Sequence, residues 1–246
     1  MMCAFMQADE GQSHPQHYRV YAGADVFFNH IHFYTSSSHA TTELKSTTVF
    51  GGLRIGYDYL EPQSFYFGTE GLIAKGGSST KIEELHKSYF FSSKGQGSIH
   101  TSPLFAHLEQ RFGYTLQSQI APSLTLTPFG GLGWYYTQTY FHEDSDSANW
   151  FYGAVGLRVA EQFSQSFALG FNVKAMYSFA GKESAPMWSF LVEEQVKNVW
   201  GYEIALPLTW NIGSIWDLQF QPYLLQIDFN GMIQILGLRI EAGYSF

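Results

Sequence analysis

The sequence of 246 residues has little charge, since Asp, Glu, Lys and Arg make up only 14% of it. An ordinary soluble domain carries about 25% of these residues. The sequence also lacks any continuous apolar run near the ~18 residues that a membrane-spanning helix needs. Aromatic residues nevertheless reach 18%. A surface short of charge without a spanning helix favours a β-barrel, in which membrane-facing residues alternate with polar ones.

Cysteine and basic residues are also scarce. Cys3 is the single cysteine, which excludes an internal disulfide framework and a paired thiolate metal site. The net charge of −8 leaves no basic stripe to neutralise phosphates, so nucleic acid is not expected as a partner. Residues 1–8 (MMCAFMQA) lack a basic start and a full apolar region, as the truncated end of a signal peptide would.

Apolar residues alternate strictly with small or charged residues through 236–246 (LGLRIEAGYSF). In a strand, Leu236 and every second residue to Phe246 share one apolar face, while Arg239 and Glu241 share the other with glycine and serine. Similar alternation recurs along the chain and predicts about ten strands. Their connections alternate in length: short ones lie near Glu61, Gln119, Gln162 and Gly213, and longer ones near His39, Thr80, Ser145 and Ala185, with a reduced one near Asn230. The segments 29–46 and 75–100 are predicted as long loops.

Three prolines lie within proposed strands, where each removes a hydrogen-bond donor from the sheet. Bulges or shorter strands can accommodate them, and eight strands is the alternative count. These residues are Pro128, Pro207 and Pro222.

The charged residues of the proposed strands all fall on the face opposite the apolar set. A soluble barrel shows the same alternation with inside and outside exchanged. Two bands of aromatic residues at the strand ends of the apolar face favour the membrane arrangement, because such rings lie at both headgroup layers. The charged set is Arg19, Asp25, Arg54, Asp58, Glu70, Glu109, Arg111, Arg158, Lys174, Glu203, Asp217, Arg239 and Glu241.

Glycines share the charged face and are expected to leave room for long side chains inside a narrow barrel. We therefore predict a lumenal charge network. Its members are Arg54, Glu70, Glu109, Arg111, Arg158, Lys174, Glu203, Arg239 and Glu241.

An alternating strand that ends on Phe246 resembles the closing strand of bacterial outer-membrane β-barrels. The resemblance covers residues 17–246 and implies an antiparallel up-and-down transmembrane β-barrel with both termini in the periplasm. Residues 1–16 would be a flexible arm or the signal-peptide remnant. By the same resemblance, Tyr244 and Phe246 are the signal read by the barrel-assembly machinery, and outer-membrane lipid and lipopolysaccharide are partners.

The expected function is that of an integral outer-membrane barrel in a structural or surface-interaction, adhesin-like role. Salt bridges would plug the lumen, since unpaired charges there are costly. The long loops would hold any surface ligand. A small ion channel or porin is the alternative, and a soluble ligand-binding barrel is a further one.

No catalytic residue, cofactor or metal is predicted. Omptin proteases, which also have ten strands, use Asp and His at the rim, where this chain offers His142 with Asp144 but no matching second acidic pair. A lipid-A-modifying hydrolase would need a serine, a histidine and an acid that the pattern does not single out. His30, His32 and His39 lack further ligands for a metal, and Glu143 and Asp146 lack the spacing of a calcium loop.

Overall fold

The computed structural model describes residues 18–36, 40–87, 92–141, 144–187, 190–195, 198–228 and 232–246. The predicted N-terminal arm lies outside these ranges, so the proposed division into an arm and a barrel stays a prediction. Within the described ranges no helix is long and apolar enough to cross a membrane.

Thirteen strand segments form a single antiparallel sheet. They are β1 (Tyr18–Ser36), β2 (Ala40–Leu60), β3 (Ser64–Lys87), β4 (Ser92–Thr101), β5 (Leu104–Gln117), β6 (Leu124–Phe141), β7 (Asp144–Ser164), β8 (Phe167–Met187), β9 (Phe190–Gln195), β10 (Trp200–Ala205), β11 (Leu208–Ile212), β12 (Trp216–Asp228) and β13 (Met232–Ser245).

These segments occupy ten positions around a closed barrel. β4 and β5 both pair with β3 and share one position, and β9, β10 and β11 all pair with β8 and share another. β1 pairs with both β2 and β13, so the first and last strands close the sheet into a barrel. The predicted up-and-down barrel of ten strands is confirmed.

The three prolines are accommodated in different ways. Pro207 divides β10 from β11, and its carbonyl accepts a hydrogen bond from the Gly170 amide. Pro128 of β6 stays paired with Leu157 of β7, whereas the pairing between β5 and β6 is interrupted next to Pro128. Pro222 lies within β12, where its carbonyl accepts a hydrogen bond from the Leu206 amide. The proline nitrogens, which have no hydrogen to donate, therefore lie where strand pairing is interrupted or on a side of the strand that needs no donor.

The two ends of the barrel differ. At one end, here called the turn end, the connections within 61–63, 118–123, 165–166 and 213–215 are two to six residues long. At the other, here called the loop end, β2 pairs with β3 as far as Ala40 and His86. The prediction that 29–46 and 75–100 are long loops was wrong, because the strands continue into both segments. Their Ser- and Thr-rich sequence has no apolar contrast to show a period of two, yet the backbone ladder continues through it.

The outer face is apolar. Leu53, Ile55, Val155 and Leu236 are each more than 60% exposed. Ring contacts follow the turn end, where Phe246 stacks on Tyr18 with centroids 5.6 Å apart. Further contacts at that end are Phe67–Phe112, Phe65–Tyr114, Phe167–Trp210 and Trp216–Tyr244, and at the loop end Trp134–Tyr136 and Tyr177–Trp200.

Candidate functional site

Eight charged side chains form a closed ring of alternating sign inside the barrel, here called the charge ring. Every neighbouring pair in it lies within 4 Å, and the most exposed member, Arg111, has a side chain only 13% accessible. In order, the members are Asp25, Arg54, Glu70, Arg111, Glu109, Lys174, Glu203 and Arg239, and the last returns to Asp25.

Short contacts dominate the ring. Arg54 donates to Asp25 at 2.6 Å and lies 2.8 Å from Glu70. Lys174 is 2.6 Å from Glu109 and 3.0 Å from Glu203. Arg239 is 2.7 Å from Glu203. The two long links, at 3.6 Å each, join Arg111 Nε to Glu109 and Arg239 Nε to Asp25.

Strand register explains part of this arrangement. Asp25 lies directly opposite Arg239, and Lys174 lies opposite Glu203, so each pair shares one face of adjacent strands. Glu70 lies opposite Glu109. Two like charges at such a position repel each other unless cations separate them. Arg111 contacts both carboxylates, which makes this pairing tenable.

Three of the ten barrel positions, those of β6, β7 and β12, contribute no charge to the ring. Aromatic side chains from these strands lie over glycines of an adjacent strand. A Cβ added at Gly133 would meet the Tyr152 ring, one at Gly156 would meet Phe129, and one at Gly237 would meet Tyr223, all within 2.4 Å. At these three positions the glycines make room for rings. Gly68 and Gly243 lie instead against charged side chains, Asp58 for the first and Asp217 and Arg19 for the second, as expected from the sequence.

Tyrosines connect these rings to the charges. Tyr223 donates to Asp25 at 3.0 Å, and the Arg239 guanidinium lies 4.0 Å from the Tyr223 ring centroid. Tyr152 donates to Glu109 at 2.5 Å. The Tyr152 hydroxyl also lies 2.7 Å from His107 Nε2. Buried carboxylates thus gain neutral hydrogen bonds in addition to ion pairs.

A layer of buried rings covers the charge ring on its loop side, here called the aromatic layer. Phe27 stacks on Phe50 at 4.7 Å and meets Phe105 edge-on at 5.5 Å. Tyr135 stacks on Tyr152 at 5.1 Å. Met176, Leu225, Ile227 and Ile235 complete the same buried cluster.

A small polar cavity of about 40 Å³ lies on the turn side of the charge ring. Arg158 contacts Asp58 at 3.3 Å and donates to Tyr66 at 2.9 Å on one wall. Arg19 pairs with Asp217 at 2.7 Å on another part of the lumen wall. Glu241 also lines this cavity.

The nine residues of the predicted network all lie inside the barrel. Seven belong to the charge ring, whereas Arg158 and Glu241 lie outside it and line the cavity. Asp25, not named in that network, completes the ring. The sequence reasoning also missed His107, Tyr152 and Tyr223 as ring partners, although the alternation places each on the charged face.

Other predicted positions lie at the surface or beyond description. Tyr244 and Phe246 face outward, and their role as an assembly signal stays a prediction. His39, His142 and Glu143 lie outside the described residues. In the part of the chain that is described, no group of three or more His, Cys, Asp or Glu side chains is placed to hold a metal ion.

The chain matches no protein-family model and no curated protein. Solved structures do resemble it. The outer membrane protease OmpT from Escherichia coli superposes with a TM-score of 0.63 at 9% identity, covering 94% of this chain and 97% of that one. The transport unit of the autotransporter AIDA-I from Escherichia coli gives 0.53 at 9% identity, covering 98% and 94%. The protein therefore has the fold of the outer-membrane β-barrels, as a closed ten-stranded member of that architecture.

Proposed function

We propose that this protein is an integral outer-membrane barrel with a sealed lumen, whose role is structural or carried by its loop end. The observation that supports the sealed lumen is the pairing of the charge ring with the aromatic layer. Asp25 and Glu109 are at most 1% exposed, and Phe27 and Tyr152 in the aromatic layer are 1% exposed. This low exposure supports a lumen that is closed to solvent at this level.

The apolar outer face supports the membrane location. Leu53, Ile55 and Val155 are at least 64% exposed, and all the charges of the barrel wall listed above point inward. In water this arrangement leaves a large apolar surface unburied, whereas a bilayer covers it. The aromatic residues at the strand ends fit the headgroup layers. In this proposal the turns and both termini face the periplasm.

Long hairpins at the loop end support a surface role. Transmembrane strands need about 9–11 residues to cross a bilayer. β2, β7 and β8 have 21 residues each, and β3 has 24. The excess of roughly ten residues, at ~3.3 Å each, amounts to about 30 Å of strand outside the bilayer. Such projections are suited to contact with lipopolysaccharide or with a ligand outside the cell.

The membrane barrel is tested by its mobility on a gel. A closed barrel has no edge strand from which to unzip, so detergent-folded protein is expected to migrate differently before and after boiling. The same preparation should need detergent to stay in solution. Identical mobility together with good solubility in plain buffer would favour a soluble barrel instead.

The channel alternative has some support in the turn-side cavity, which extends the aqueous phase partway into the lumen. A channel also needs a path through the charge ring and the aromatic layer. We expect the unmodified protein to give little steady current, because both layers are closed by direct side-chain contacts. The fold of OmpT is shared, but the described residues supply no argument for proteolysis, and we do not propose it.

A further inference from the structure

The outer face of the barrel carries an exposed lysine toward the loop end. Leu53 of β2 and Ile73 of β3 lie directly opposite each other and are 71% and 57% exposed, so the apolar outer face reaches this level. Lys75 is the next residue on the same face of β3, and it is also exposed. A lysine at the border of the hydrocarbon is costly unless its ammonium reaches the headgroup layer and meets an anion there.

The surroundings of Lys75 offer space without a counter-charge. Gly51 lies directly opposite it, and Gly77 follows it on the same face of β3. A Cβ added at either glycine would have no atom within 4 Å, so the outer wall is open on both sides of the lysine. Among the described residues, no carboxylate forms an ion pair with Lys75. The anion that this ammonium needs is therefore expected from the lipid layer.

Further basic positions continue toward the loop end on the neighbouring strands. His30 of β1 is exposed, and its Nδ1 lies 3.1 Å from the hydroxyl oxygen of Thr47 on β2, which holds the imidazole on the outer face. Two residues farther along, the backbone register places His32 opposite Lys45, and Lys45 opposite Lys81. By alternation this row belongs to the same face as His30 and Thr47. The basic patch, as it is called here, consists of His30, His32, Lys45, Lys75 and Lys81.

Acidic residues mark the limits of the basic patch. Glu43 and Glu83 lie opposite each other, one step beyond the row of the two upper lysines. On the far side of the barrel, Asp228 is exposed and lies opposite Trp200, with which it shares the outer face. An anionic ligand is therefore attracted to one part of the wall, over β1, β2 and β3, between the apolar face and the row of glutamates.

We propose that the basic patch binds the phosphorylated headgroup of a glycolipid in the outer leaflet, as lipopolysaccharide is. The acyl chains would lie along Leu53 and Ile73, and the phosphates would meet Lys75. The row of Lys45 and Lys81 lies roughly 20 Å farther along the strand, at ~3.3 Å per residue, at the level of an anionic sugar core. The inference rests on the proposed function, because the loop end faces the outer leaflet only in the orientation given there.

The test is native mass spectrometry of the detergent-folded full chain, titrated with lipopolysaccharide that has a short sugar chain. The fraction of protein that retains one lipid molecule gives the dissociation constant. Lys75→Gln is expected to weaken binding about fivefold, and the double variant Lys45→Gln/Lys81→Gln roughly 25-fold. Lys182→Gln is the matched control, because it removes an exposed lysine near the loop end of β8, four strands away from β3. It should bind as the unmodified protein does.

Equal retention by Lys75→Gln and the unmodified protein would overturn the proposal. An equal loss in Lys182→Gln would do so too, since it indicates a general attraction of charge. The proposal also fails if dephosphorylated lipopolysaccharide or phosphatidylglycerol is retained as well as the phosphorylated glycolipid, or if the double variant loses only stability in urea and no lipid.

The gel shift on boiling is recorded for each variant before lipid is added. A missing shift in the unmodified protein would count against the membrane barrel itself. Failure of the proposed function is thereby distinguished from failure of the lipid site.

Discussion

Replacing Arg54 with alanine is expected to lower the free energy of unfolding by about 3–5 kcal/mol, the usual cost of removing one partner from a buried ion pair. Arg54 is 1% exposed at its side chain and contacts both Asp25 and Glu70. Its loss leaves the charge ring with two carboxylates that no longer share a guanidinium. The measurement is urea unfolding of the protein refolded in lipid vesicles.

Two control variants separate charge from packing. Arg54→Met keeps most of the apolar stem and should lose nearly as much stability as the alanine variant. Arg158→Ala removes a guanidinium whose side chain is 23% accessible, and Asp58 keeps its hydrogen bond from Tyr66 at 3.1 Å. It should cost less than Arg54→Ala, which removes a partner shared by two buried carboxylates. Equal losses of unfolding free energy for Arg54→Ala and Arg158→Ala would mean that the charge ring stabilises the barrel no more than the Arg158–Asp58 pair outside it.

Arginine on the outer face should be costly at mid-strand. Val155→Arg and Leu206→Arg are each expected to cost about 2–4 kcal/mol in bilayer refolding, because a guanidinium at the membrane midplane loses its hydration. Val155 is 66% exposed on β7, and Leu206 is 46% exposed between β10 and β11. Both side chains extend away from the lumen, so no ring member can pair with the new charge.

Ser147→Arg is the control for this pair of substitutions. Ser147 lies near the loop end of β7, beyond the segment that the proposal places in the membrane. Its replacement is expected to change the refolding free energy by no more than ~1 kcal/mol. Equal tolerance at positions 147, 155 and 206 would contradict the assignment of inside and outside.

Much of the fold follows from alternation alone. The period of two assigns Arg54, Lys174 and Glu203 to one face and Leu53, Val173 and Ile204 to the other, and the structure keeps both assignments. Pairing of the first and last strands, Asp25 opposite Arg239, follows from closure of the barrel. What a local pattern cannot detect is a strand of small polar residues, which is why the loop-end parts of β1, β2, β3 and β4 were predicted as loops.

The pattern of ion pairs could not be predicted, because alternation gives the face of a residue but not its height in the barrel. Glu109 and Lys174 contact each other across two intervening strands, β6 and β7, and only the shear of the barrel decides this. The aromatic layer was missed for a related reason. The alternation places Phe27, Phe50 and Phe105 on the face of Asp25, Arg54 and Glu109, but it does not show that the three rings lie at one height and contact each other.

Planar-bilayer recording of the purified, unmodified protein tests the sealed lumen most directly. Folding is verified beforehand by the gel shift on boiling, so that an absence of current is not caused by unfolded protein. Because the charge ring and the aromatic layer both close the lumen, we predict little or no steady current. A stable, charge-selective unitary conductance from the unmodified protein would contradict the sealed lumen and favour an ion channel.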